Sequence, residues 1–85
     1  MHDTWFKIFE LGQSEEEMEQ AYAKILTTLI AIRLDKGITQ SELSRKSGLT
    51  TSMISKIEAQ HSVPSVKSFL KYLQGLDMDW ELKSR

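Results

Sequence analysis

The sequence predicts a mainly α-helical domain of four to five helices closed by a short β-strand. Three observations carry this. The pairs Ser14/Glu17 and Thr39/Glu42 have the S/T-x-x-E spacing of a helix N-terminus. Apolar residues recur three and four positions apart through the middle of the chain, and after Gly75 the period changes to strict alternation.

The first helix of the core follows Ser14, with Glu15, Glu16 and Glu17 suiting its positive end. Met18, Tyr22, Ile25, Leu29 and Ile32 form its predicted apolar stripe. Neither glycine nor proline interrupts before Gly37, so one long helix is expected over residues 15–36. Thr39 opens a second helix over 40–47 with Leu43 in the core, and Gly48 can take the left-handed backbone that reverses the chain. Leu49 plugs that corner, Thr50 caps, and a third helix is expected over 51–59, with Ile54 and Ile57 inward and Met53 at the margin. Ser65 caps a fourth over 66–74, whose inward residues are expected to be Val66, Phe69, Leu70 and Leu73, and Gly75 ends it. Ahead of these, TWFKIFEL (4–11) fits a short helix or a strand, and the helix is favoured.

In the tail, Leu76, Met78, Trp80 and Leu82 alternate with Asp77, Asp79, Glu81 and Lys83. Alternation over eight residues is a strand signal, and a lone strand needs a partner. The simplest is the same strand of a second copy, with Met78, Trp80 and Leu82 at a dimer interface. The 85 residues are therefore expected to form one domain: an N-terminal extension (1–13), a helical core (14–75) and a strand or tail (76–85).

Composition excludes several classes of function. There is no cysteine, hence no disulfide, thiolate metal site or cysteine nucleophile. Two distant histidines make no metal cluster, no glycine-rich phosphate loop is present, and the carboxylates lie on solvent-type faces, so neither catalysis nor a cofactor is expected. No apolar run approaches the roughly 20 residues of a membrane span, and the N-terminus lacks the pattern of a signal peptide. A cytoplasmic location is expected.

Charge is unevenly distributed. The chain carries 12 acidic and 11 basic residues, for a formal net charge of −1. Residues 1–22 set six carboxylates against Lys7, whereas residues 23–74 set eight cations against Asp35, Glu42 and Glu58. Because screening acts over about 10 Å at 0.1 M salt, a surface in the basic middle responds to its own charge. The net negative total does not exclude a nucleic-acid partner.

The stretch TQSELSRKSGLTTSMISKIE (39–58) has the layout of two short helices about a Gly-Leu corner. A helix that enters a major groove about 12 Å wide needs small polar side chains near its start. Thr51, Ser52, Ser55 and Lys56 supply them around Ile54. Gln40 stands where a helix N-terminus can meet a phosphate, and Arg45, Lys46 and Lys56 add charge on the same flank. Thr50 stands at the mouth of the second helix and joins the candidate DNA contacts. Glu58 is expected to pair locally or to cap, because a carboxylate facing phosphate is unfavourable. A helical corner that only packs, or that binds protein, is the alternative reading.

Thr39, Gln40, Glu42, Leu43, Gly48, Leu49, Ile54, Ser55, Ile57, Glu58, Pro64 and Ser65 together resemble the helix-turn-helix of the Cro/repressor (XRE) family. The resemblance covers roughly residues 25–75 and implies a compact helical domain that binds DNA as a dimer. It implies base-edge contacts from Thr51, Ser52 and Ser55, with Gln40 and Lys56 on backbone or base. A sequence-specific transcriptional regulator acting as a homodimer on a palindromic operator is the expected function. Two departures stand out. The family commonly has glycine after the recognition helix, where this chain has Gln60 and His61, and the usual fifth helix is replaced by the alternating segment 76–83. A strand or tail at that place resembles helix-turn-helix antitoxins of the HigA type, which would add a toxin as partner.

Overall fold

The computed structural model describes residues 14–84, which carry four helices: α1 (Glu15–Asp35), α2 (Gln40–Ser47), α3 (Thr51–Glu58) and α4 (Val66–Gly75). The segment 4–11 lies outside the described residues. By its contacts the chain divides into two compact units, residues 1–31 and 32–85, and α1 contributes residues to both.

Among the described residues, the first unit is the N-terminal part of α1. Glu17 donates its backbone N–H to Ser14 Oγ at 3.1 Å, the hydrogen bond expected of the cap. Of the expected stripe, Leu29 is buried, Tyr22, Ile25 and Ile32 are half-buried and Met18 is 52% exposed, while Ala21 and Leu26, outside the stripe, are buried. The reason is visible in YAKILTTLIAI: apolar side chains lie on several faces of this helix, and spacing alone does not select the inward one.

In the second unit the capping signals hold in detail. Thr39 and Glu42 form a complete capping box at α2, and Thr50 and Ser65 accept the Met53 and Ser68 backbone N–H groups at 3.1 Å. Gly48 has φ 81°, where side chains are disfavoured, and Leu49 behind it is buried. Ser44 Oγ donates to Leu49 O at 2.6 Å and Leu49 N–H donates to Ser47 Oγ at 3.1 Å, so the corner between α2 and α3 is tied from both sides.

α2 packs against both α3 and α4 around Leu43, Leu49, Ile54, Ile57, Tyr72, Leu73 and Leu76. Val66, expected inward, is 77% exposed, and Phe69 and Leu70 are half-buried, because α4 turns its Tyr72 and Leu73 side to the core. Gly75 ends α4 as its last residue, without a positive φ, and it sits against Leu43 and Ser47.

Asp77 and Gln60 occupy the left-handed region at φ 58° and 60°. At the end of α3, Gln60 N–H donates to Ile57 O and His61 N–H to Lys56 O, the paired bonds of a Schellman stop. The chain thus makes this left-handed turn with Gln60 rather than glycine, at a local cost of about 1 kcal/mol. The second stop follows α4, where Asp77 N–H reaches Gln74 O and Met78 N–H reaches Leu73 O. Beyond it, residues 78–84 form no regular element.

Candidate nucleic-acid interface

α3 sorts its side chains cleanly. Ile54 and Ile57 are buried, whereas Thr51, Ser52, Ser55 and Lys56 are exposed together, with Thr50 exposed at the cap. Outward hydroxyls at the start of a capped, well-packed helix are groups that can hydrogen-bond base edges without blocking entry to a groove. Arg45 on α2 is exposed as well.

The C-terminal end of α3 is pinned by a carboxylate network. Glu58 accepts from Arg33 Nε at 2.8 Å and Arg33 Nη2 at 2.9 Å, from Gln40 Nε2 at 3.0 Å and from the Tyr72 hydroxyl at 2.5 Å. Arg33 Nη1 also donates to Ile38 O at 2.8 Å. Less than a tenth of either charged side chain is exposed. Two-pronged guanidinium–carboxylate geometry of this kind is among the stronger charge-assisted arrangements. Burial pushes the Glu58 carboxyl up, but the hydrogen bonds from Arg33, Tyr72 and Gln40 outweigh it and hold the group below its ordinary value. Burial and the neighbouring carboxylate together raise the Tyr72 hydroxyl well above the usual tyrosine value.

The sequence leads one to expect Glu58 in a local pair or a cap, but its partners come from α1, α2 and α4, and Arg33 is 25 residues away. Arg33 and Tyr72 were missed. The available signal was an arginine inside an apolar run, LIAIRL, since a buried cation demands a buried anion.

Two candidate DNA contacts are already engaged. Gln40 gives one amide N–H to Glu58. Lys46 Nζ lies 2.7 Å from Asp77 Oδ2 in an exposed ion pair, and that cation holds the Asp77 carboxyl below its ordinary value. Lys36 Nζ donates to Leu76 O, a further tie to the chain after α4. Of the residues expected at a dimer interface, Met78 is half-buried, Trp80 is 50% exposed and Leu82 is 83% exposed.

A helix-turn-helix family model matches residues 29–82, well over half of the chain. The chain belongs to the Cro/repressor-type (XRE) helix-turn-helix family. Members of this family are DNA-binding domains rather than enzymes, which makes this helix-turn-helix protein a DNA-binding regulator of the XRE type. No curated protein and no solved structure gives a significant match. Among the described residues of this XRE domain, no helix is long and apolar enough to cross a membrane, and no cluster of three acidic or histidine side chains could hold a metal.

Proposed function

We propose that the protein is a sequence-specific regulator that places α3 in the major groove and binds a roughly palindromic operator as a homodimer. The observation that carries this is the exposed row Thr51, Ser52, Ser55 and Lys56 on a helix held at both ends, by the Thr50 cap and by the Glu58 network. The three hydroxyl side chains address base edges. Lys56 and Arg45 address phosphates, and Gln40 keeps a second amide N–H for the backbone while its first stays on Glu58. Lys46 joins them only by leaving Asp77, which is a small obstacle, because exposed ion pairs contribute at most about 1 kcal/mol.

Two copies would set their α3 helices about one helical turn apart, near 34 Å. The segment 78–84 is the element proposed to join them, with Met78, Trp80 and Leu82 turned to the second copy. A strand there would gain its hydrogen bonds only from that partner. As an intracellular DNA-binding protein, the chain would act in the cytoplasm.

Substitution at the row tests the reading. Thr51→Ala and Ser52→Ala should each reduce discrimination between the preferred site and its single-base variants by about 1 kcal/mol, the low end for a base contact. Lys56→Ala should weaken binding to all sequences alike and lower the slope of log affinity against log salt by about 1. Footprinting and titration that find all three variants indistinguishable from the parent would remove α3 from the DNA.

A further inference from the structure

We propose that Met53 is a specificity-determining residue that reads the C5-methyl group of a pyrimidine in the operator, a proposal that rests on α3 being the DNA-reading helix. Met53 is a large apolar residue of α3 that stays exposed, at 40%, while Ile54 and Ile57 are buried. At 100° per residue it lies at the margin of the buried face, about 40° from the buried Ile57 and about 60° from the outward Lys56, which stands one turn C-terminal to it. A helix entering the groove N-terminus first brings Met53 deeper than Lys56. The lysine then meets phosphate at the rim while the thioether meets the groove wall, where thymine methyls are the apolar groups on offer.

The position is well fixed. The Met53 backbone N–H is held by Thr50 Oγ1 at 3.1 Å, and the neighbouring Ile54 is fully buried, so the side chain swings from a rigid base. Methionine is long, flexible and polarizable, suited to covering a small methyl group at a variable depth. Of the exposed side chains of α3, Thr51 offers only a short γ-methyl and Ser52, Ser55 and Lys56 end in polar groups, so Met53 is the long apolar one.

The test uses the full chain and a duplex selected from random DNA. Each thymine is replaced in turn by deoxyuridine, which removes only the methyl, and each cytosine in turn by 5-methylcytosine, which adds one. Burying one methyl is worth about 0.8 kcal/mol, so the parent should lose affinity about fourfold on deoxyuridine at one thymine of each half-site. In Met53→Gln, which keeps the reach and removes the apolar end, the thymine and deoxyuridine duplexes should bind equally; Met53→Ala should behave the same way. A fourfold gain at a methylated cytosine that disappears in both variants would assign the same pocket to 5-methylcytosine. Indifference of the parent at every position, or a loss that persists undiminished in both variants, would overturn the proposal while leaving DNA binding intact. A parent that binds no DNA would overturn the reading of α3 as well.

Discussion

Glu58→Ala should destabilise the domain by about 3–5 kcal/mol, the cost of leaving one partner of a buried ion pair uncompensated. The substitution strands Arg33 among apolar neighbours and removes the acceptor from Gln40 Nε2 and from the Tyr72 hydroxyl. A domain of this size has on the order of 5–10 kcal/mol of stability to lose, so the variant should melt at least about 12 °C below the parent. Replacing both charges, with Arg33→Met and Glu58→Leu, should recover part of that loss, because a well-packed apolar pair avoids burying ions. The acid limb of stability checks the charge itself. The Glu58 carboxyl is held below its ordinary value of 4.5 when folded. Its contribution is therefore complete above that pH and is lost as pH falls through the lower, folded value. The parent should weaken across that window, and Glu58→Gln, already destabilised, should lack this component. Thermal melts in which Glu58→Ala falls by less than about 1 kcal/mol would show that the network is not what anchors α3.

Gly75→Val should cost about 3 kcal/mol, at the upper end for overpacking a core. A Cβ at this position would lie 2.5 Å from Leu43 Cδ1, 2.9 Å from Ser47 Cβ and 3.4 Å from Ser47 Cα. Leu43 has no exposed surface into which to retreat, and Ser47 Cβ moves only with its backbone, so α2 and α4 must separate. Gly75 is helical, without a positive φ, so the loss isolates packing from backbone strain. Leu43→Ala alone should be destabilising by at least about 2 kcal/mol, yet in the Gly75→Val background its cost should shrink as the valine fills the space it opens. Strictly additive losses in denaturant titrations would mean that the two side chains do not compete for one volume. The same separation would displace Gln40 and Arg45, which ride on α2, so DNA affinity should fall together with stability.

What could be read in advance follows the physics of each element. The caps Thr39, Thr50 and Ser65, the corner at Gly48–Leu49 and the outward hydroxyls of α3 depend on neighbours three or four positions away, and such local rules are written directly in the chain. The inward face of α1 was legible only in part: the spacing picks out Leu29 but neither the burial of Ala21 and Leu26 nor the exposure of Met18, because apolar side chains lie on several faces and tertiary packing chooses among them. Gly75's packing role was not legible, since a glycine near a helix end looks like a stop until the other helix is seen against it. The network on Glu58 joins residues from four helices, and no spacing rule relates Arg33, Gln40, Glu58 and Tyr72 before the chain is folded. The left-handed Gln60 is a further case: the turn is enforced by the hydrogen bonds closing α3 rather than by the residue that occupies it.

Selection of bound duplexes from a random DNA pool, followed by footprinting on the enriched sequence, tests the central claim most directly. The account predicts enrichment of a roughly palindromic site, with protection in two major-groove segments centred about one helical turn apart. Recovery of unenriched sequence, or protection confined to the minor groove, would contradict it.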